Sequence, residues 1–240
     1  MTVTHLQIFG ERCSGTNYVA ELLRRNLPQL QSTDRYGWKH GLLWQVRDEA
    51  PDCLFVVVHR DPFDWVRSLH RTPWHAAAPL RDLTLSQFLR AQWWCEWGRD
   101  MPLAAADERH GTEMLHERDP ETKQRHANVL RMRTTKLRTW ATLPERVRHC
   151  VAVRYEDVLA DERAFVRDVA ASVGARRRLW HRGVRTFKGG SSRFVRRDYE
   201  PFAPEDVDWV LAQLDADVER AAGYDLAAAA ARVRGEGPAV

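Results

Sequence analysis

Residues 53–62 read CLFVVVHRDP, and this stretch decides the fold. Its first six residues are apolar and rich in valine, with no polar residue between them. Such a run is typical of a strand buried on both faces of a parallel sheet. Pro62 follows Asp61 and suits the first turn of a helix. The stretch therefore predicts a buried strand, a short polar loop and a helix, in that order.

Strands and helices alternate along the rest of the chain. Residues 3–9, 36–40 and 151–155 are predicted to form strands, because their apolar residues alternate or form short runs. A helix is predicted to begin at Pro62, and apolar periodicity or capping residues predict others over residues 17–27, 84–97, 124–140, 162–173 and 206–221. This alternation indicates an α/β fold with a mainly parallel sheet.

The composition suits a single globular domain over residues 1–240. The chain is 44% hydrophobic and 29% charged, with a net charge of +4, and it contains no apolar stretch of the roughly 18 residues that a membrane span needs. The first residues lack the pattern of a secretory signal, so we expect a cytoplasmic protein. The alanine-rich residues 227–240 suggest a frayed or disordered tail. The four cysteines lack metal-binding spacing, and no metal is expected.

The first loop, residues 10–17, reads GERCSGTN between the first predicted strand and its helix. Backbone N–H groups in such a turn, together with the positive end of the helix dipole, form an anion cradle. Gly15 would let the backbone approach an anion closely. Further donors are the side chains of Arg12, Ser14, Thr16 and Asn17. The same turn also suits a plain helix start, and the loop alone does not decide between the two.

The second loop, residues 59–62, follows the valine-rich strand. Arg60 stands at the carboxyl end of that strand, where open α/β sheets bind ligands. Ser68 lies about two turns into the following helix. Both side chains are therefore expected to address one anionic group beside the first loop.

These two loops resemble the two phosphate loops of sulfotransferases that use 3′-phosphoadenosine 5′-phosphosulfate (PAPS). Two further segments are similar to that family and come in its order, the RYED of residues 154–157 and the FKGG of residues 187–190. The resemblance implies a three-layer α/β/α fold of the P-loop nucleotide-binding type. It also implies that PAPS is the co-substrate and that no metal is needed.

The resemblance also implies roles for individual residues. Ser14, Gly15, Thr16 and Asn17 would hold the 5′-phosphosulfate. Arg60 and Ser68 would hold the 3′-phosphate, Tyr155 would lie beside the adenine, and Lys188 and Gly189 would close over the 3′-phosphate. The family usually has a basic residue directly before Ser-Gly-Thr, whereas this chain has Cys13. Either Arg12 or Lys39 would then supply that charge.

Sulfuryl transfer needs a general base for the acceptor and a cation beside the leaving oxygen. His40 is predicted to be the base and Lys39 the cation. Adjacent residues of a strand point to opposite faces, so both side chains reach the reacting group only if the strand ends at Lys39. His70 and His75 are the alternative bases.

Two other functions stay open. A phosphotransferase or NTPase with a modified phosphate loop is one, although the Walker Gly-Lys-Ser/Thr is absent. A nucleic-acid-binding module built on the basic residues 176–197 is the other. For the sulfotransferase, the expected partner is a small-molecule or carbohydrate acceptor that offers a hydroxyl or amine, with no nucleic acid and no membrane span. The sequence specifies neither the acceptor nor the oligomeric state.

Overall fold

A computed structural model describes residues 2–43, 46, 49–98, 100, 101, 103, 104, 106–186, 199 and 201–236. Its strands are β1 (His5–Gly10), β2 (Gln31–Ser32), β3 (Cys53–His59) and β4 (Cys150–Arg154). Its α-helices are α1 (Thr16–Asn26), α2 (Pro62–Arg71), α3 (Leu85–Arg90), α4 (Val129–Ala141), α5 (Tyr155–Ala160), α6 (Glu162–Ser172), α7 (Pro204–Gln213), α8 (Ala216–Ala221) and α9 (Leu226–Arg234). Single 3₁₀ turns cover Ala78–Leu80, Leu115–Glu117 and Leu143–Glu145.

The described strands form one parallel sheet in the order β2-β1-β3-β4. Gly10 at the end of β1 pairs with Val58, and His59 at the end of β3 pairs with Arg154 at the end of β4. The carboxyl ends of the three longer strands therefore lie side by side at one edge. This architecture confirms the α/β prediction with its parallel sheet.

The described residues divide into two compact units. The first comprises Met1–Asp61 and Thr139–Asp198 and contains the sheet with α1, α5 and α6. The second comprises Pro62–Arg138 and Tyr199–Val240 and contains the helices α2, α3, α7, α8 and α9 with most of α4.

The core of the first unit lies between one face of the sheet and its helices. Every residue of β3 is buried, as the valine-rich run predicts. Leu54, Val56 and Val58 on this strand pack in one cluster with Val19 and Leu22 of α1. Residues of α5 and α6 complete the same cluster, so the helix that follows the first loop is held firmly against the sheet.

The strand predicted over residues 36–40 is absent, and that prediction was wrong. The edge strand is β2 instead, formed by the polar residues 31–32. Gly37 has a φ of 108°, and the buried side chain of Gln7 donates to its carbonyl oxygen at 3.2 Å. A side chain thus takes the place of a neighbouring strand, and the chain turns at Lys39 and His40.

The helix predicted over residues 84–97 ends at Arg90. Thr84 and Gln87 form the expected capping box, but residue 91 is already extended. Trp93 then pairs with His126 in an isolated antiparallel bridge, so the aromatic run is not helical. The helix predicted over residues 124–140 begins later, because the Asn128 side chain accepts the N–H groups that open α4.

Two predictions near the C-terminus were also wrong. The single helix expected over residues 206–221 is split into α7 and α8, because Asp215 is extended and its carboxylate caps α8. Residues 227–234 of the tail expected to be frayed or disordered belong instead to α9, which Asp225 caps and Gly235 ends, and residues 237–240 lie outside the described residues. No helix among the described residues has the length and apolar character needed to cross a membrane.

Candidate functional site

Three chain segments meet at the carboxyl edge of the sheet in the first unit. They are the first loop after β1, the second loop after β3, and the start of α5 after β4. Parallel strands bring such segments together, because their carboxyl ends lie at the same edge.

The first loop makes a tight turn that depends on two glycines. Gly10 has a φ of 154°, and a Cβ at this position would lie 2.5 Å from the carbonyl oxygen of Val58 on β3. Gly15 has a φ of 94°, and a Cβ there would collide with the ring of Tyr155. The turn is closed from within by Ser14, whose hydroxyl donates to the carbonyl oxygen of Glu11 at 2.8 Å.

Helix α1 begins at Thr16 with no side-chain cap and no acidic residue in its first turn. The N-cap residue is Gly15, which has no side chain that could cap the helix. Every other α-helix in the described part of the chain has an acidic residue in its first turn or a side chain that caps it. A helix start that lacks both features suits an anionic ligand.

Lys39 and His40 both face this loop from the turn that replaces the expected strand. The Lys39 ammonium donates to the Asn17 side-chain oxygen at 2.6 Å, in the first turn of α1. The Lys39 carbonyl accepts from the Gly10 N–H at 3.0 Å. Because the chain turns here, the alternation of a strand no longer sends adjacent side chains to opposite faces.

The hydrogen bond of His40 fixes its tautomer. Nδ1 lies 2.7 Å from the carbonyl oxygen of Gly10. A carbonyl oxygen only accepts, so Nδ1 must carry the proton. The neutral ring therefore has its basic lone pair on Nε2, which is the arrangement that a general base requires.

Arg60 joins the second loop to the first. Its Nη1 donates to the carbonyl oxygen of Cys13 at 2.8 Å, and its guanidinium lies over the ring of Tyr155, 5.4 Å from the centroid. Cys13 has a φ of 64°, which residues other than glycine rarely adopt. The bond from Arg60 stabilises that conformation and places a fixed positive charge beside the first loop.

The segment after β4 supports both loops. The Tyr155 ring lies against Gly15 and packs edge-on against Tyr18, with centroids 5.8 Å apart. Glu156 accepts the backbone N–H of Asp61 at 3.0 Å, at the start of the helix after the second loop. Sequence reasoning assigned no role to Glu156, although it belongs to the RYED segment.

Tyr18 is a second supporting residue that sequence reasoning missed. Its hydroxyl donates to the Glu162 carboxylate on α6. Burial, together with this bond, raises the pKa of the Tyr18 phenol well above its usual value. Tyr18 therefore stays protonated and holds α1 to α6.

Arg12, the other candidate for this charge, packs against Trp38. Its guanidinium lies over the Trp38 ring, 4.7 Å from the centroid, and the residue is 2% exposed. Trp38 in turn packs edge-on against His40, at 5.3 Å. The side chain of Lys39 bonds to the first turn of α1, so both candidate cations stand close to the first loop.

The other predicted residues belong to the second unit or lie outside the described residues. Ser68 is half-buried on α2, in the second unit. His70 contacts the carbonyl oxygen of Leu83 through Nε2 at 2.8 Å, and His75 is buried with a φ of 62°; both also belong to the second unit. Lys188 and Gly189 lie outside the described residues.

Comparison of the chain with family models, with curated proteins and with solved structures found no match. Across the described residues, no group of three or more His, Cys, Asp or Glu side chains is arranged to hold a metal ion. The function must therefore be argued from the residues at the sheet edge.

Proposed function

We propose that the protein is a sulfotransferase that moves a sulfuryl group from PAPS to a hydroxyl or amine of a small-molecule or carbohydrate acceptor. A three-layer arrangement and a P-loop type of nucleotide site are part of this proposal. The observation that carries it is the bond from Arg60 to Cys13, because it joins the two loops that resemble the phosphate loops of that family.

The charges around the first loop fit the phosphosulfate end of the nucleotide. The loop contributes an uncapped helix start and the polar side chains of Thr16 and Asn17. Lys39 adds a positive charge beside Asn17, while Arg60, the residue proposed for the 3′-phosphate, bonds to Cys13 in the same loop. A doubly charged nucleotide end binds well where fixed cations and backbone N–H groups converge.

His40 and Lys39 have separate roles in the proposed transfer. The acceptor oxygen or nitrogen forms a bond to sulfur while the bond from sulfur to the 5′-phosphate oxygen breaks. Nε2 of His40 takes the proton that the acceptor loses. The ammonium of Lys39 offsets the negative charge that develops on the leaving oxygen.

The phosphotransferase alternative has one observation in its favour. Gly10 and Gly15 have the spacing of the two Walker glycines, but Thr16 occupies the lysine position and Asn17 the magnesium-binding hydroxyl position. Lys39 brings an ammonium group close to the lysine position, but residue 17 itself has an amide and not the hydroxyl that binds magnesium. Sulfuryl transfer without a metal therefore fits the loop better.

Thermal denaturation with added nucleotides tests the proposal, since a ligand raises the melting temperature only if it binds the folded state. We expect 3′-phosphoadenosine 5′-phosphate to stabilise the protein with EDTA present, and AMP and ATP to have much less effect. Transfer of labelled sulfate from PAPS to a panel of phenols and sugars then measures the activity. An equal response to ATP that requires Mg²⁺ would reject the proposal in favour of a phosphotransferase.

A further inference from the structure

A short loop on the first unit, residues 176–185, exposes two large apolar side chains. Leu179 is 97% exposed and Trp180 is 82% exposed. Together with Leu115, these are the large hydrophobic residues that stand out into solvent in the described part of the chain. Adjacent exposed residues of this size mark a surface that contacts something else. We call residues 176–185 the Trp180 loop.

The base of the Trp180 loop is fastened to the end of α1. The buried side chain of Asn26 donates to the carbonyl oxygen of Arg182 at 2.9 Å and accepts its N–H at 2.8 Å. The Asn26 carbonyl accepts the N–H of Arg178 at 2.9 Å. The chain between these two arginines is thus closed at both ends, and Leu179 and Trp180 form its tip.

Two further contacts hold the loop in place. His181 lies 3.1 Å from the Glu162 carboxylate on α6, and Arg25 donates to the carbonyl oxygen of Gly183 at 3.1 Å. An apolar tip held in a fixed geometry loses less conformational entropy on binding than a flexible one. The exposure of Leu179 and Trp180 is therefore a built feature of the surface.

The loop is also strongly basic. It contains five arginines and no acidic residue, and all five side chains are exposed: Arg176, Arg177, Arg178, Arg182 and Arg185. The arginines stand on both sides of the apolar tip. A surface that combines these two features is suited to a partner that is negatively charged at its face and apolar beneath it.

We propose that the Trp180 loop docks the protein onto a negatively charged lipid bilayer. Leu179 and Trp180 enter the headgroup region, where tryptophan is favoured because it has both an apolar ring and an N–H donor. The arginines pair with lipid phosphates, an attraction that anionic lipids strengthen. This proposal is independent of the sulfotransferase activity.

Two other occupants fit the surface less well. A nucleic acid would use the arginines and the Trp180 ring, but it would leave Leu179, the more exposed of the two apolar residues, without a purpose. A second copy of the chain placed symmetrically on this loop would bring ten arginines together, five from each copy, and their repulsion opposes such a dimer.

Sedimentation with lipid vesicles tests the proposal. The probes are vesicles of phosphatidylcholine mixed with phosphatidylglycerol, and vesicles of phosphatidylcholine alone. We expect the protein to sediment with the anionic vesicles and much less with the neutral ones. The double variant Leu179→Ser/Trp180→Ser should bind about tenfold more weakly or worse. Replacing Arg176 and Arg177 by glutamine should weaken binding about fivefold for each arginine.

Matched controls separate the loop from general surface properties. Leu115→Ser removes another exposed leucine, 65% exposed, from the second unit. The double variant Arg167→Gln/Arg220→Gln removes two arginines whose side chains are 58% and 71% exposed on other helices. Neither control should change vesicle binding by more than about twofold, and each variant must keep the melting temperature of the parent.

Three results would overturn the proposal. The first concerns vesicle binding: either the parent protein fails to sediment with anionic vesicles, or the Leu179→Ser/Trp180→Ser variant sediments with them as well as the parent does. The second is tighter binding to a single-stranded oligonucleotide than to vesicles, lost in that same variant, which would assign the loop to nucleic acid. The third is a dimer in sedimentation equilibrium that the same variant dissociates, which would assign it to self-association.

Discussion

The guanidinium of Arg60 donates a hydrogen bond to the carbonyl oxygen of Cys13, with the two atoms 2.8 Å apart. Arg60 comes directly after β3 and Cys13 lies in the turn after β1, so this bond connects two loops separated by 47 positions in the sequence. It also fixes where the positive charge stands, because the Tyr155 ring lies beneath the guanidinium. The arrangement of the two loops at the carboxyl edge of the sheet therefore depends on the Arg60 side chain as well as on the backbone.

Arg60→Ala should weaken binding of 3′-phosphoadenosine 5′-phosphate by about ten- to a hundredfold, because hydrogen bonds between charged groups each contribute about 1.5–3 kcal/mol. Arg60→Lys should recover only part of the affinity, since lysine lacks the planar fork that grips a phosphate. Isothermal titration calorimetry measures both. Arg167→Ala, at a surface pair with Asp168, is the control for lost charge. Unchanged affinity in Arg60→Ala would remove Arg60 from the nucleotide site.

Gly15→Ala should destabilise the protein more than Gly174→Ala. Both glycines have a positive φ, 94° and 63°, so both substitutions carry a backbone cost of about 1–2 kcal/mol. A Cβ at Gly174 meets nothing within 4 Å, whereas one at Gly15 collides with the Tyr155 ring. Urea denaturation measures the loss of stability in each variant, and the difference between the two losses is the cost of the collision with Tyr155.

A double variant makes the comparison of the glycines sharper. If the ring of Tyr155 causes the extra loss, then Gly15→Ala should cost less in a Tyr155→Ala background than in the parent. The same difference in both backgrounds would mean that the ring does not constrain the first loop. Nucleotide affinity measured on these variants then tells whether the loop must keep its turn to bind.

The sequence was sufficient for the three longer strands of the sheet. The valine-rich residues 53–58 form a fully buried strand, since a run without polar residues has no other stable place in an α/β fold. Gly10 ends β1 because glycine readily adopts the positive φ needed there, and Pro62 begins α2 because its fixed φ suits the first turn of a helix. Such local rules also locate the capping box at Thr84.

The sequence was not sufficient where residues far apart in the chain determine the backbone conformation. Residues 36–40 have the composition of a strand, but the side chain of Gln7 bonds to both Tyr36 and Gly37 and so replaces a strand partner. The turn that results is what brings Lys39 to Asn17. No pattern within residues 36–40 contains this information, since the deciding side chain lies on β1.

The predictions for the C-terminal helices were wrong for another reason. The periodicity of residues 206–221 continues through the break between α7 and α8, and only the capping by Asp215 reveals the break. Asp225 and Gly235 similarly bound α9. These capping residues are visible in the sequence, but apolar periodicity and alanine content alone do not indicate where the helices begin and end.

His40→Ala should reduce turnover by about a hundred- to ten-thousandfold while it leaves nucleotide affinity nearly unchanged. His40 contacts the backbone of Gly10 through Nδ1. The proposed base is Nε2, which acts on the acceptor and not on the nucleotide, so nucleotide binding does not depend on it. His40→Asn is the matched variant, because its amide can replace the bond from Nδ1 without a base. Activity that survives in both variants but is lost in His70→Ala or His75→Ala would transfer the role to that residue.

Glu219→Gln should lower the free energy of unfolding by about 3–5 kcal/mol, because it removes the carboxylate that pairs with the buried guanidinium of Arg133. The two side chains form a bidentate pair with bonds of 2.6 and 2.7 Å, and both are 0% exposed. Asp168→Asn, which breaks the exposed pair with Arg167, should have almost no effect. Urea denaturation measures both, and similar losses would show that burial of the pair is unimportant.

His126→Gln should reduce the dependence of stability on pH below neutrality. Burial, and secondly the charge of Lys136, lower the pKa of His126 from its usual value of 6.5. The unfolded chain therefore binds a proton more readily than the folded one, so stability is full above about pH 6.5 and falls as the pH drops through the lowered pKa. Glutamine can donate to the Glu117 carbonyl oxygen as Nε2 does but does not titrate. Urea denaturation at about pH 7.5 and pH 5 should show a smaller loss for the variant than for the parent, and an equal loss would mean that other groups cause the acid sensitivity.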